Sequence, residues 1–263
     1  MAKKPPRTSV GTDRQAKIDA AAKANQVGPN KILIGAVVVI VAIIAVVAGV
    51  IVADQSTKSK AAPKDGGTSV PTAAGEMGAG FVANEDATLV AGAPTLDIYE
   101  DFRCPACHQA YGVFHDTVSE LANEGKIKLV YHFKTIIDSH GGNESLQAAN
   151  AAICAADAGK FNEYHDAVLG SIVAANGQQP PWGPEFYTQS AAHVGISGDA
   201  LTTFNQCVAD GSYEGYVRSV EERSARDGIN ATPQYFLNGE LVDFQTVNTG
   251  ELMAEAIEKA TGN

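Results

Sequence analysis

The chain has 263 residues and a net charge of −11, and no basic stripe offsets that acidity, so a nucleic-acid partner is excluded. The acidity itself is that of a solvated surface. Its four cysteines, two of them only two residues apart, direct attention to thiol chemistry.

Residues 1–31 are basic: Lys3, Lys4, Arg7, Arg14, Lys17, Lys23 and Lys31 face only Asp13 and Asp19. Ile32 to Ala53 is then uninterrupted apolar sequence, broken only by Gly35 and Gly49 and long enough to cross a bilayer as one helix. A cleavable signal would have a shorter apolar region, and Ile51-Val52-Ala53 only weakly resembles a cleavage site. The expectation is an uncleaved transmembrane anchor over 32–53. Its basic flank stays cytoplasmic, and everything beyond Ala53 lies outside the cell membrane. Residues 54–80 turn to Ala, Gly, Ser, Thr, Lys and Pro and read as a flexible tether.

Residues 81–263 suffice for one well-packed domain with an inserted subdomain. Strands are expected at Thr88 to Val90, Thr95 to Tyr99, Ile127 to Phe133, Gln234 to Leu237 and Glu240 to Asp243, the last two joined by the turn dipeptide Asn238-Gly239. Ala110, Val113, Phe114, Val118 and Leu121 recur at helical spacing after the second of these. Between Phe133 and Gln234 the chain is helical: Asn143 to Asp157, Phe161 to Ile172, Glu185 to His193, Ala200 to Val208 and Ser212 to Asp227. Glu251 to Ala260 closes the chain as a helix. The order gives an α/β domain with a helical insertion at about 140–215.

Cys104-Pro105-Ala106-Cys107-His108 falls where the second strand feeds its helix. There Cys104 meets unpaired backbone N–H groups and the positive end of the helix dipole, which favour thiolate over thiol. Cys104 is thus the candidate nucleophile. Cys107, one turn on, is placed to attack a mixed disulfide at Cys104. Pro105 has the φ that a first helical turn needs. The same five residues match a covalent haem-attachment motif, which would need a second axial ligand; Met1, Met77 and Met253 lie in no obvious ligand loop, though His132 could serve. A zinc half-site would need another close pair, and Cys154 and Cys207 are isolated. The remaining histidines, His115, His132, His140, His165 and His193, show no metal-ligand spacing, so no metal or cofactor is expected. Gln179-Pro180-Pro181-Trp182 could flank a peptide groove, although a sole Trp is commonly a core anchor.

Glu100-Asp101-Phe102-Arg103 running into the Cys-Pro-Ala-Cys motif, a helical insertion, and then Ile229-Asn230-Ala231-Thr232-Pro233-Gln234-Tyr235-Phe236-Leu237-Asn238-Gly239 resemble the DsbA-like thiol:disulfide oxidoreductases of the thioredoxin superfamily. The likeness is greatest to membrane-anchored DsbA-type proteins of actinobacteria, and it covers about Phe81 to Asn263. It implies a thioredoxin-like fold, a cis bond at Thr232-Pro233 beside the cysteines, and Thr232 as the contact for an extended substrate backbone. Two positions depart from the family. Ile98 stands where many relatives carry a buried acid, leaving Glu100 and Asp101 as weak candidates for moving protons; Asp97 lies on the opposite strand face. Ala106 replaces a His, which should make the pair a milder oxidant, with His108 able to restore part of the effect if it is not simply solvated.

In an oxidising compartment an even cysteine count reads as paired, so Cys154 and Cys207 should form a structural disulfide; electron relay to the first pair is the alternative. The activity implied is oxidation of reduced exported polypeptides outside the membrane, with a membrane quinone-linked oxidase as reoxidising partner. A reductase or isomerase with the same residues, or a non-catalytic or haem-carrying module, remains open.

Overall fold

A computed structural model of the chain describes residues 67–262. The basic segment 1–31, the anchor expected over 32–53 and the start of the tether lie outside the described residues. Among the described residues no helix is long and apolar enough to cross a membrane.

The elements run β1 (Phe81–Val82), β2 (Thr95–Glu100), α1 (Pro105–Asn123), β3 (Lys128–Phe133), α2 (Glu144–Ala156), α3 (Phe161–Ala174), α4 (Pro184–His193), α5 (Gly198–Asp210), α6 (Glu214–Arg226), β4 (Gln234–Leu237), β5 (Glu240–Leu241) and α7 (Gly250–Ala260). A 3-10 turn over Ile136–His140 leads from β3 into α2. The sheet order is β1-β3-β2-β4-β5. Among the described strands only β2 and β3 are parallel, Ile98 opposite Tyr131 and Glu100 opposite Phe133. A parallel pair needs a crossover, and α1 supplies it.

Alternation along β2 buries Leu96, Ile98 and Glu100 on one face and leaves Thr95, Asp97 and Tyr99 half-buried on the other. α1 packs on α7 and α3, and α6 lies against β3. α2 is the centre of the helical insertion, touching α3, α5 and α6. Its run of alanines, Ala148, Ala149, Ala151, Ala152 and Ala155, is buried all round and lets these neighbours approach closely. A Cys154–Cys207 disulfide joins α2 to α5 across a separation of 53 residues. A loop of that length stabilises the fold by about 4 kcal/mol on the chain-entropy account.

Several expected elements differ. Thr88 to Val90 is not a strand: Leu89 and Val90 are exposed, and Val90 N–H has only the turn at Gly125 to bond to, at 2.9 Å. The strand at β3's other edge is instead Phe81–Val82, paired with Tyr131 and Val130. Strand pairing after the Asn238-Gly239 turn stops at Leu241 rather than Asp243, while the turn itself has the positive φ at both residues that a two-residue hairpin requires.

Residues 67–80, the end of the expected tether, lie on the domain. Gly67 N–H bonds the Gly211 carbonyl and Gly215 N–H bonds the Gly67 carbonyl, each at 2.9 Å. Further on, Gly78 N–H bonds Ser219 Oγ at 2.8 Å, and Tyr216 OH donates to Ala79 O at 2.6 Å. A Cβ on Gly67 or Gly215 would overlap the facing backbone. The glycines that look like linker composition are what allow two backbones to touch.

Candidate active site

Cys104 ends the β2–α1 loop as the N-cap of α1, with Pro105 as its first residue; no side chain caps this helix. The backbone N–H groups of Ala106 and Cys107 nevertheless act on the Cys104 sulfur and favour the thiolate. The Cys104 thiol is pulled down to about 5, chiefly by a hydrogen bond from the Cys107 thiol; partial burial opposes this, and the Thr232 side chain and the two N–H groups assist. Cys107 moves the opposite way, raised by burial, then by its hydrogen bond to Cys104 and by the negative charge there. Both are free thiols, so this is the dithiol form. Although Cys104 and Cys107 are only 6% and 3% exposed, Pro105 and Ala106 at the rim are open to solvent.

The Thr232-Pro233 bond is cis, and Cys104 Sγ donates to Thr232 O at 3.5 Å. The loop carrying Thr232 is fixed from behind. Lys134, whose side chain is fully buried at the end of β3, donates to Ile229 O at 3.0 Å and pairs with Glu221 of α6 at 2.9 Å. Cys104, Cys107, Thr232 and Pro233, far apart in sequence, therefore share one site, while Cys154 and Cys207 lie together in the insertion.

His108 is not a solvated surface residue. It is 3% exposed, and its Nε2 bonds the Phe102 carbonyl at 2.7 Å. Asp101 is also buried, with its oxygens accepting the N–H groups of Arg103 and Ile137 at 2.9 Å each. Burial nevertheless raises its carboxyl to about 6. Arg103 bridges Asp138 at 2.9 Å and Glu144 at 2.8 Å, so the residue before Cys104 is clamped to the turn that opens α2. Gln179 donates to Arg103 O at 3.3 Å and accepts from Trp182 Nε1 at 2.8 Å, so Trp182 is half-buried at the border of the site rather than central to the core.

One contact escaped the sequence reading. Glu100, at the end of β2 and named there as a candidate for moving protons, is bonded to His165 of α3 at 2.6 Å, both buried. Nothing in the local spacing of either residue signals a partner 65 positions away.

A family model described as thioredoxin matches residues 88–259. MdbA, a thiol-disulfide oxidoreductase from Actinomyces oris, superposes with a TM-score of 0.56 at 24% identity, over 65% of this chain and 83% of that one. The disulfide bond oxidoreductase DsbG from Mycobacterium tuberculosis gives 0.55 at 26% identity, covering 67% and 85%. DsbA from the same organism, in its reduced form, gives 0.54 at 26%, covering 67% and 90%. Among curated proteins, the Na(+)/H(+) antiporter NhaA 1 of Salinispora arenicola is 31% identical over 147 residues, 55% of this chain. The match spans only 20% of that antiporter's length. The strand order, the position of the cysteines and these likenesses converge: the chain belongs to the thioredoxin family and has the DsbA-like fold of thiol-disulfide oxidoreductases.

Proposed function

We propose that the chain is an extracytoplasmic thiol:disulfide oxidoreductase, held at the membrane through residues 32–53, that forms disulfides in exported proteins through Cys104 and Cys107. The observation that carries this reading is the sulfur of Cys104, drawn to the thiolate at a helix start and set 3.5 Å from the Thr232 carbonyl. A substrate thiolate attacks Cys104 Sγ of the oxidised pair. The Cys104–Cys107 bond breaks, its electron pair leaves on Cys107, and a mixed disulfide joins substrate to Cys104. A second substrate thiolate then attacks the substrate sulfur, and Cys104 departs as thiolate. Thr232 and Pro233 would hold the substrate as an extended strand beside the cysteines. A quinone-linked oxidase in the same membrane would take the two electrons from the reduced pair.

Direction follows from the thiolate. Whatever stabilises the reduced form makes the disulfide more oxidising, and the hydrogen bonds to Cys104 do so. Ala106 contributes no positive charge, so the pair should be a moderate oxidant. Equilibrating the full chain with glutathione buffers and quantifying the Cys104–Cys107 disulfide should give a potential between about −180 and −120 mV. A value near about −270 mV would make the chain a reductase and overturn the direction proposed.

A further inference from the structure

The residues that follow β3 join the two halves of the site. Lys134, next after the strand, is tied to the sheet by its own N–H, which donates to Glu100 O at 2.7 Å. Its side chain is completely buried, which an ammonium tolerates only when its donors are used. All three are used: Nζ meets Glu221 Oε1 at 2.9 Å, Ile229 O at 3.0 Å and Glu221 O at 3.5 Å. The other carboxylate oxygen of Glu221 accepts Thr135 N–H at 2.8 Å. Two residues on, Ile137 N–H donates to Asp101, whose carboxylate also accepts the N–H of Arg103, the residue before Cys104. Residues 134–137 thus grip the Thr232 loop at one end and the Cys104 loop at the other.

The grip on the Thr232 loop is the sparser of the two. Ile229 lies three residues before Thr232, and its own N–H donates back to Ser224 O of α6 at 2.9 Å. Among the described residues, the backbone of Asn230 to Pro233 bonds to no other part of the domain except the Cys104 sulfur, at 3.5 Å from Thr232 O. Pairing resumes at Gln234, opposite Tyr99. Backbone groups left free in this way are available to a substrate strand, and nothing local fixes their aim. We propose that Lys134 is a positioning residue for peptide substrates: by holding Ile229 O it fixes where Thr232 presents its backbone, and so how closely an extended dithiol chain fits across Cys104. This inference rests on the disulfide-exchange reading above.

Stability alone does not call for a lysine here, because apolar side chains of similar volume commonly replace a buried ion pair without loss. Such side chains cannot donate to a carbonyl. The hydrogen bonds of Lys134 go to Glu100, Glu221 and Ile229, none of them to a cysteine. Its removal should therefore weaken the fit of a chain lying beside Cys104 and leave the exchange step itself in place.

The test reduces the oxidised full chain in single turnover with two reductants: an extended peptide carrying two reduced cysteines, and dithiothreitol, which has no backbone to pair. Lys134→Met, which keeps the length and loses the donors, should raise the peptide concentration for half-maximal rate about tenfold, with the limiting rate within about twofold of wild type. Reduction by dithiothreitol should also stay within about twofold. Equal slowing toward both reductants would make Lys134 a residue of general stability only and overturn the proposal, as would peptide kinetics matching wild type. Should Lys134→Met fold poorly because it strands the Glu221 charge, the double variant Lys134→Met/Glu221→Gln removes that charge and keeps an acceptor for Thr135 N–H. The same split between peptide and dithiothreitol is expected of it, and its absence is fatal. A wild type that neither dithiol reduces would overturn the exchange reading, and this inference with it.

Discussion

Cys104→Ala abolishes disulfide transfer to a reduced substrate, dropping the rate by more than about a thousandfold to the uncatalysed background, because it removes the sulfur at which every exchange step occurs. Cys107→Ala fails differently. It keeps the attacking sulfur but lacks the intramolecular thiol that releases it, so with a disulfide-bearing substrate, one sulfur leaving as thiolate, covalent adducts at Cys104 should accumulate on non-reducing gels. The second variant also loses the hydrogen bond that does most to lower the Cys104 thiol, so its remaining thiol should titrate closer to the ordinary range. If adducts gathered on Cys107 in Cys104→Ala, the two roles would be reversed.

The second large effect couples redox state to stability. In the folded dithiol form Cys104 titrates near 5, against 9.0 for an unperturbed thiol. A depressed pKa adds stability that is complete above the unfolded value and vanishes as pH falls through the folded one. The disulfide form has no such thiolate, but closing its four-residue loop contributes about 2 kcal/mol on the chain-entropy account. At pH 7 the thiolate contributes about as much after allowance for solvent near the sulfur, so the two forms should melt within a few degrees of each other there. The reduced form should gain on the disulfide form toward alkaline pH and fall below it under about pH 5. Thermal melts of both redox forms over a pH series measure this directly, and a gap independent of pH would remove the thiolate from the account.

Much of the fold was legible where local chemistry sets it. The alternation of Leu96 and Ile98, the Asn238-Gly239 turn and the helical spacing from Ala110 to Leu121 each act over a few residues, and the structure has β2, the β4–β5 hairpin and α1 there. The junction that holds Cys104 follows from the first and last of these. Phe81–Val82 was illegible because two residues carry no periodicity; its pairing is decided by β3. Gly67 and Gly78 looked like tether because close backbone contact and flexibility demand the same residue. The burial of His108, left open between a solvated and a functional side chain, was illegible because the carbonyl that receives its Nε2, Phe102 O, lies in the loop before the helix. The Glu100–His165 contact depends on α3 packing beside α1 over the sheet, a tertiary fact that neither residue's neighbours encode. Membership of the thioredoxin family was readable from the cysteine motif together with the Thr232-Pro233 loop, since the two are meaningful only as a pair.

The most direct measurement of the central claim is the pH dependence of alkylation of Cys104 in the reduced full chain, followed by mass spectrometry. The structure places the midpoint near 5, with Cys107 unreactive over the same range. A midpoint near the 9.0 of an ordinary thiol would mean that the Cys107 thiol and the groups around the helix start do not hold this sulfur as thiolate, and the proposed chemistry would fail with it.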